Sequence, residues 1–176
     1  MIKQPRFSDI PQYTRDGHHT TTVTMDHLLY HVDRWVTNYG LELNPDFQRG
    51  HVWDEPRQIA FVEHLLRGGV GSNEIRFNHT EWMRSFEGDF VLVDGLQRLT
   101  ACMKFLQNKI TAFGYLYYKY QDSPSISVSL TFRVNDLRTR AEVLNWYLEL
   151  NSGGVAHTQA ELDLVRDLLE AEKEES

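Results

Sequence analysis

The sequence predicts a single domain that contains both helices and strands. Five segments carry apolar residues three or four positions apart, as in an amphipathic helix, and three others resemble strands bounded by turn residues. The length of 176 residues is that of one ordinary domain. Hydrophobic residues make up 41% of the chain, enough to bury a sizeable core, and this excludes a disordered protein.

The first 22 residues are predicted to form an N-terminal arm. They contain two prolines, a glycine followed by two histidines, and the run Thr20-Thr21-Thr22, and they show no apolar period. The folded domain is expected over 23–170. The residues that follow are mostly charged and predict an acidic tail at 171–176.

Two helices are predicted next along the chain. The first follows Thr24, a suitable N-cap residue, and stops at Gly40. The second follows Asp54, has Pro56 in its first turn, and ends at Gly68-Gly69. Both patterns are typical of helices that pack one apolar face on a core.

The remaining elements alternate between strand and helix. Strands are predicted at 74–80 and 89–94, and a helix at about 97–108 begins directly after the second of them. A third strand is predicted at 127–134 because its polar and apolar residues alternate. Two final helices are expected, one opened by Asn135-Asp136, and one with a capping box. The capping box is formed by Thr158 and Glu161.

Charge and composition exclude several classes of protein. The chain holds 18 Lys plus Arg against 25 Asp plus Glu, a net charge of −7, which argues against non-specific nucleic-acid binding through phosphate neutralisation. The longest strongly apolar run, 90–93, is far shorter than the roughly 20 residues of a membrane-spanning helix. Cys102 is the only cysteine, which excludes an internal disulfide. With no signal-like apolar stretch near the start, we expect a cytoplasmic protein without a membrane partner.

The strongest candidate site is the turn from the second predicted strand into the helix after it. Asp94 ends the strand, Gly95 permits close approach of a ligand, and Arg98 lies in the first helical turn. Backbone N–H groups at a helix start attract anions, and a guanidinium group suits phosphate oxygens. Asp94 could hold Mg²⁺ or orient a water, and Gln97 could position that water. An ordinary Asp-Gly turn followed by a surface arginine remains the alternative.

A second candidate cluster precedes the second helix. Gln48 and Arg49 stand beside Gly50 in a loop whose aromatic residues, Phe47 and Trp53, are expected to anchor it in the core. An arginine next to a glycine suggests another phosphate contact. The alternative is that both polar side chains fix the loop backbone.

Three motifs in this order resemble one known family. They are the loop from Asn44 to Trp53, the segment from Val93 to Thr100, and Asn151-Ser152-Gly153-Gly154 with the following Thr158 and Glu161-Leu162. Together they are similar to the N-terminal domain of GmrSD-type restriction endonucleases, a branch of the ParB/sulfiredoxin-like fold, over about residues 26–165. The resemblance implies an α+β domain with a small mixed sheet and packed helices, one that binds a nucleoside triphosphate and, in several members, hydrolyses it.

The resemblance also assigns roles to residues. Asp94, Gly95, Gln97 and Arg98 match the family signature, which usually has glutamine where this chain has Leu96. Gln48 and Arg49 match the first block. On this basis Asp94 and Gln97 are the candidate catalytic residues and Asp94 the candidate Mg²⁺ ligand. The candidate phosphate-binding residues are Gly95, Arg98, Gln48 and Arg49.

The functional expectation is a nucleoside triphosphate-binding and Mg²⁺-dependent hydrolysing module of a restriction, defence or phage counter-defence system. We expect no His-Asn-His nuclease domain after residue 165, so the chain resembles the regulatory module alone. A catalytically silent protein that mimics or blocks a restriction sensor subunit is the first alternative, and DNA or a restriction-system protein would then be the partner. A ParB-like DNA-binding or nuclease domain is the second. The oligomeric state is left open.

Overall fold

A computed structural model describes residues 19–48, 53–69, 71–82, 85–151 and 159–174. In chain order the elements are β1 His19–Thr24, α1 Leu28–Tyr39, α2 Glu55–Leu66, β2 Glu74–His79, β3 Phe90–Asp94, α3 Leu96–Leu106, β4 Ser129–Asn135, α4 Arg140–Asn151 and α5 Gln159–Glu174. Short 3₁₀ turns lie at Met25–His27 and Tyr117–Lys119. The α+β class expected from the sequence is confirmed.

The four described strands form one mixed sheet in the order β1-β4-β2-β3. β1 pairs antiparallel with β4, β4 pairs parallel with β2, and β2 pairs antiparallel with β3. The parallel pair therefore lies at the centre, where both of its strands have neighbours on either side. The crossover from β2 to β4 contains α3, which starts where β3 ends.

One face of the sheet carries the larger core. α1, α2 and α3 pack here, and Trp35 of α1 stacks its ring against the rings of Phe77, Phe90 and Phe132 at centroid distances of 5.1 to 5.3 Å. Phe77 on β2, Phe90 on β3 and Phe132 on β4 come from three adjacent strands. The helix patterns after Thr24 and Asp54 are confirmed, and Gly40 closes α1 in the left-handed conformation with φ 68°.

The opposite face is covered only in part by the described helices. α4 and α5 pack over the β3 edge, where Val93, Leu144 and Val165 are buried in a second, smaller core. Beyond them, the β1, β4 and β2 strands present polar residues, among them Thr20, Thr22 and Arg133. The end of β3 lies at the boundary between the covered and the open part of this face.

Three predicted boundaries differ from the described elements. α4 begins at Arg140 and not at Asn135-Asp136, because Asn135 is the last residue of β4. β1 begins at His19, inside the segment predicted as an arm, because Thr20 to Thr24 pair with β4 residues more than 100 positions later. α5 continues to Glu174, so residues 171–174 of the expected tail form its last turn. Thr158 and residues 1–18 lie outside the described residues. No helix in the described part of the chain is long and apolar enough to cross a membrane.

Candidate functional site

The turn between β3 and α3 has a backbone that requires glycine. Gly95 has φ 103°, in the region that side-chain-bearing residues rarely adopt. A Cβ built there would lie 2.7 Å from Ile75 Cδ1 and 3.2 Å from Ile75 Cα on the neighbouring strand. Gly95 therefore lets the chain pass directly against β2 and enter α3 without a connecting loop.

The start of α3 has no side-chain cap in the described structure. Gly95 occupies the N-cap position and has no side chain to accept from the first N–H groups, whereas Asp54 Oδ1 accepts from Arg57 N at 3.0 Å at the start of α2. The first turn of α3 contains no acidic residue either. Uncapped N–H groups at a helix start carry partial positive charge, so this end of α3 is suited to an anion.

Asp94 holds two arginines at this turn. Its Oδ2 accepts from Arg98 Nη2 at 2.8 Å and from Arg76 Nη1 at 2.9 Å. The side chains of Asp94 and Arg98 are 27% and 20% exposed, so the cluster is shielded in part but still reaches solvent. The ordinary alternative to a phosphate site was an Asp-Gly turn followed by a surface arginine in a salt bridge, and Arg98 does form such a bridge. Arg76 was not among the predicted site residues.

The ion pairs continue along the open face of the sheet. Arg76 Nη2 lies 2.5 Å from Glu74 Oε1, and Glu74 Oε2 lies 2.8 Å from Arg133 Nε. We call these five residues the charged row: Arg133, Glu74, Arg76, Asp94 and Arg98. The row carries three guanidinium groups and two carboxylates, one positive charge in excess, in a chain whose net charge is −7.

Gln48 lies close to this turn but acts on the backbone of β3. Its Nε2 donates to Leu92 O at 3.0 Å and to Val93 O at 2.7 Å. Phe47, the residue before it, is buried in the smaller core and meets the ring of Tyr147 at 5.2 Å. The amide therefore fastens the 44–48 loop to the last residues of β3. Arg49 and His51 lie outside the described residues.

Gln97 connects the starts of α2 and α3. Its Oε1 accepts from Trp53 N at 3.1 Å. Gln58 Nε2 donates to Trp53 O at 2.8 Å, and Lys104 Nζ donates to Gln58 Oε1 at 3.0 Å. Trp53 is only partly buried, and Arg57 stacks over its ring at 5.0 Å. The loop that carries the second candidate cluster thus contacts the end of β3 and the start of α3 at its two described ends.

The carboxylate at the turn, Asp94, is the predicted Mg²⁺ ligand. Among the described residues no group of three or more His, Cys, Asp or Glu side chains could hold a metal by itself. Mg²⁺ bound to substrate phosphates needs just one or two protein carboxylates. Both described hydrogen bonds of Asp94 end on Oδ2, and neither of them uses Oδ1.

One described cavity lies at a different place. It has a volume of about 270 Å³ and lies between the 40–47 segment and the start of α4. Two arginines line it, Arg138 and Arg140. Arg140 is already paired with Asp46 and Glu172, and these carboxylates raise the pKa of that guanidinium. The start of α4 is capped by Thr139 and Glu142. The helix start at this cavity is therefore already capped, unlike the start of α3.

Fold and site together define an α+β domain with an arginine-lined turn from an edge strand into an uncapped helix. The chain belongs to the GmrSD restriction endonuclease N-terminal domain family, whose model matches residues 32–136. This range contains α2, β2, β3, α3 and β4, and with them the whole charged row. The chain accordingly has a role in a DNA restriction or defence system. No curated protein and no solved structure gives a significant match, and the ParB/sulfiredoxin-like assignment stays a prediction.

Proposed function

We propose that the domain binds a nucleoside triphosphate at the turn after β3 and hydrolyses it with Mg²⁺. The observation that carries this proposal is the conjunction of an uncapped helix start with two guanidinium groups held by Asp94. Either feature alone occurs in many structural turns. Both at one turn, with an excess of positive charge in an acidic chain, favour a phosphate ligand.

The roles of the residues follow from their contacts. Arg98 would bind phosphate oxygens through the donors that its bond to Asp94 does not use, since a guanidinium has five N–H groups. Gly95 would let a phosphate approach the backbone N–H groups of α3. Oδ1 of Asp94 would hold the metal or accept a proton from the attacking water. Mg²⁺ bound there would neutralise the charge that develops on the transferred phosphate.

Gln97 is proposed to position the water that attacks the terminal phosphate. Its Oε1 is held by the backbone of Trp53, which fixes the orientation of the amide. Gln48 supports the same site indirectly because it fixes the carbonyl groups of Leu92 and Val93, just before Asp94. Arg49 remains proposed as a further phosphate contact on the resemblance of its motif.

The test measures binding and turnover separately. Calorimetry with ATP, GTP, CTP and UTP, with and without Mg²⁺, measures affinity, and release of inorganic phosphate measures hydrolysis. We expect binding of at least one nucleotide and slow Mg²⁺-dependent phosphate release. Asp94→Asn should abolish release and retain metal-free affinity, because it keeps the shape of the side chain but removes its charge.

Three other outcomes would change the proposal. Binding without phosphate release under Mg²⁺ or Mn²⁺ would remove the hydrolysis and leave a nucleotide-sensing switch. No binding of any nucleotide would overturn the proposal and favour a silent protein that docks on a restriction sensor subunit. A salt-dependent shift of duplex DNA would favour the ParB-like alternative, because phosphate neutralisation makes DNA affinity fall steeply with salt.

A further inference from the structure

A β-bulge brings Asp94 opposite Arg76. Along β2 and β3, Phe77 pairs with Leu92, Asn78 with Val91 and His79 with Phe90. Continued without a shift, this register would pair Arg76 with Val93. The observed partner of Arg76 is Asp94, because β3 contains one extra residue at this point.

The bulge determines which face of the sheet receives the carboxylate. Side chains alternate between faces along a regular strand, so Asp94 would otherwise point into the apolar core beside Leu92. With the extra residue, Val93 stays in the smaller core and Asp94 lies with Arg76 on the open part of the same face. Bulges often re-aim a side chain next to a functional site.

The two arginines lie side by side as a result. Arg76 Nη1 and Arg98 Nη2 are 2.9 and 2.8 Å from the same oxygen of Asp94, so these nitrogens are at most 5.7 Å apart. Two guanidinium groups this close repel each other. Asp94 binds both, and Glu74 also binds Arg76 but is shared with Arg133, so one of the three guanidinium charges is left uncompensated. An anion that contacts Arg76 and Arg98 would complete the neutralisation.

We propose that Arg76 is a second phosphate-binding residue, and that Arg76 and Arg98 together clamp neighbouring phosphates of a polyphosphate ligand. Asp94 is then a positioning residue for both arginines as well as the proposed metal ligand. The inference rests on the proposed nucleotide site and names its substrate class. A ligand with two or more linked phosphates engages both guanidinium groups, whereas a lone phosphate engages one.

The neighbouring Glu74 limits how far this clamp extends. It pairs with Arg76 and with Arg133, which are direct cross-strand partners on β2 and β4. Arg133 lies on β4, so one whole strand separates it from Asp94 on β3. Arg133 therefore belongs to the charged row but not to the clamp, and it provides a matched control.

Inorganic phosphates carry no nucleoside, so they test the clamp without any assumption about which nucleobase the site prefers. The affinities of orthophosphate, pyrophosphate and tripolyphosphate are measured by calorimetry in the absence of metal for the unchanged protein, Arg76→Ala, Arg76→Lys and Arg133→Ala. In the unchanged protein we expect affinity to rise with each added phosphate. Arg76→Ala should weaken tripolyphosphate binding by about tenfold or more, and orthophosphate binding by less than about threefold.

The two further variants distinguish a specific phosphate contact of Arg76 from the effect of its charge and from a change in the fold. Arg76→Lys keeps the charge but loses the planar fork, so its loss should be intermediate. Arg133→Ala should change no affinity by more than about threefold. In Arg76→Ala, Glu74 can still pair with Arg133, and Asp94 can still pair with Arg98. A melting temperature near that of the unchanged protein would confirm that the fold is retained.

The outcomes distinguish this inference from the function on which it rests. If Arg98→Ala weakens tripolyphosphate binding and Arg76→Ala does not, the clamp is wrong and the single-arginine site stands. An equal loss for orthophosphate and tripolyphosphate in Arg76→Ala would also overturn the clamp. If neither tripolyphosphate nor any nucleoside triphosphate binds the unchanged protein, the proposed function itself fails, and the clamp with it.

Discussion

The starts of α2 and α3 lie close together, yet they are built in opposite ways. α2 begins with Asp54, whose side chain caps the first turn, and Pro56 follows in that turn. α3 begins with Gly95, which caps nothing, and with Arg98. The hydrogen bond from Trp53 N to Gln97 Oε1 joins the two starts.

The difference separates a helix start that is capped by its own chain from one that we propose binds a ligand. At α2 the protein satisfies the helix with its own carboxylate, so no external anion is needed. At α3 the nearest carboxylate, Asp94, is bound to Arg76 and Arg98 instead of to the backbone. The structure therefore keeps positive charge available at one helix start and cancels it at the other.

Gly95→Ala should have the largest effect on stability. The new Cβ would contact Ile75 at 2.7 Å, and alanine is strained at φ 103°. We expect a loss of roughly 2–4 kcal/mol in the free energy of unfolding, measured by chemical denaturation. Gly68→Ala is the matched control at the end of α2. Its φ is 78° but its Cβ meets nothing within 4 Å, so it should lose only about 1 kcal/mol. Equal losses would show that the close approach to β2 is unimportant.

Gln48→Ala should destabilise the end of β3. It removes the amide that donates to Leu92 O and Val93 O, two hydrogen bonds of about 1 kcal/mol each. Denaturant unfolding should therefore show a loss of about 1–2 kcal/mol. Gln107→Ala, at the exposed end of α3, is the control and should have little effect on stability. A Gln48→Ala protein of unchanged stability that has lost nucleotide affinity would mean that this amide contacts the ligand instead.

Asp54→Ala should lower stability without affecting the ligand. The substitution removes the cap of α2 and should lower the free energy of unfolding by about 1 kcal/mol. Nucleotide affinity should be unchanged, because the anion site lies at the other helix start. A reduced nucleotide affinity in a fully folded Asp54→Ala protein would show that the starts of α2 and α3 form one site.

The smallest expected effect concerns Cys102, whose thiol should hardly react with thiol reagents while the chain is folded. The thiol lies fully buried in α3, and this burial raises its pKa to about 12. Its thiolate is therefore scarce at pH 8 and becomes abundant only above that pKa, so thiol reagents should label the folded chain very slowly and the denatured chain fast. Fast labelling of the folded chain at pH 8 would contradict the packing of α3. The labelling rate also reports whether α3 remains folded in the variants above.

The sequence predicted most helices and strands because their apolar periods are local. β1 was missed since only Val23 and Met25 are deeply buried near its end, and its threonines pair with β4, a partner far along the chain. Asp94, Gly95 and Arg98 were found as one motif because they are neighbours in sequence. Arg76 was missed because strand pairing and a bulge bring it to Asp94, and the alternation of Glu74 and Arg76 on one strand was its only signal.

The affinity of two arginine variants for a nucleoside triphosphate tests the central comparison most directly. Arg57 and Arg98 each lie in the first turn of a helix, one over Trp53 at α2 and one beside Asp94 at α3. Calorimetry should show that Arg98→Ala lowers the nucleotide affinity about ten- to a hundredfold, because it removes a charge-assisted contact of about 1.5–3 kcal/mol. Arg57→Ala should leave the affinity unchanged within about twofold. Equal affinities for both variants and the unchanged protein would contradict the assignment of the anion site to α3.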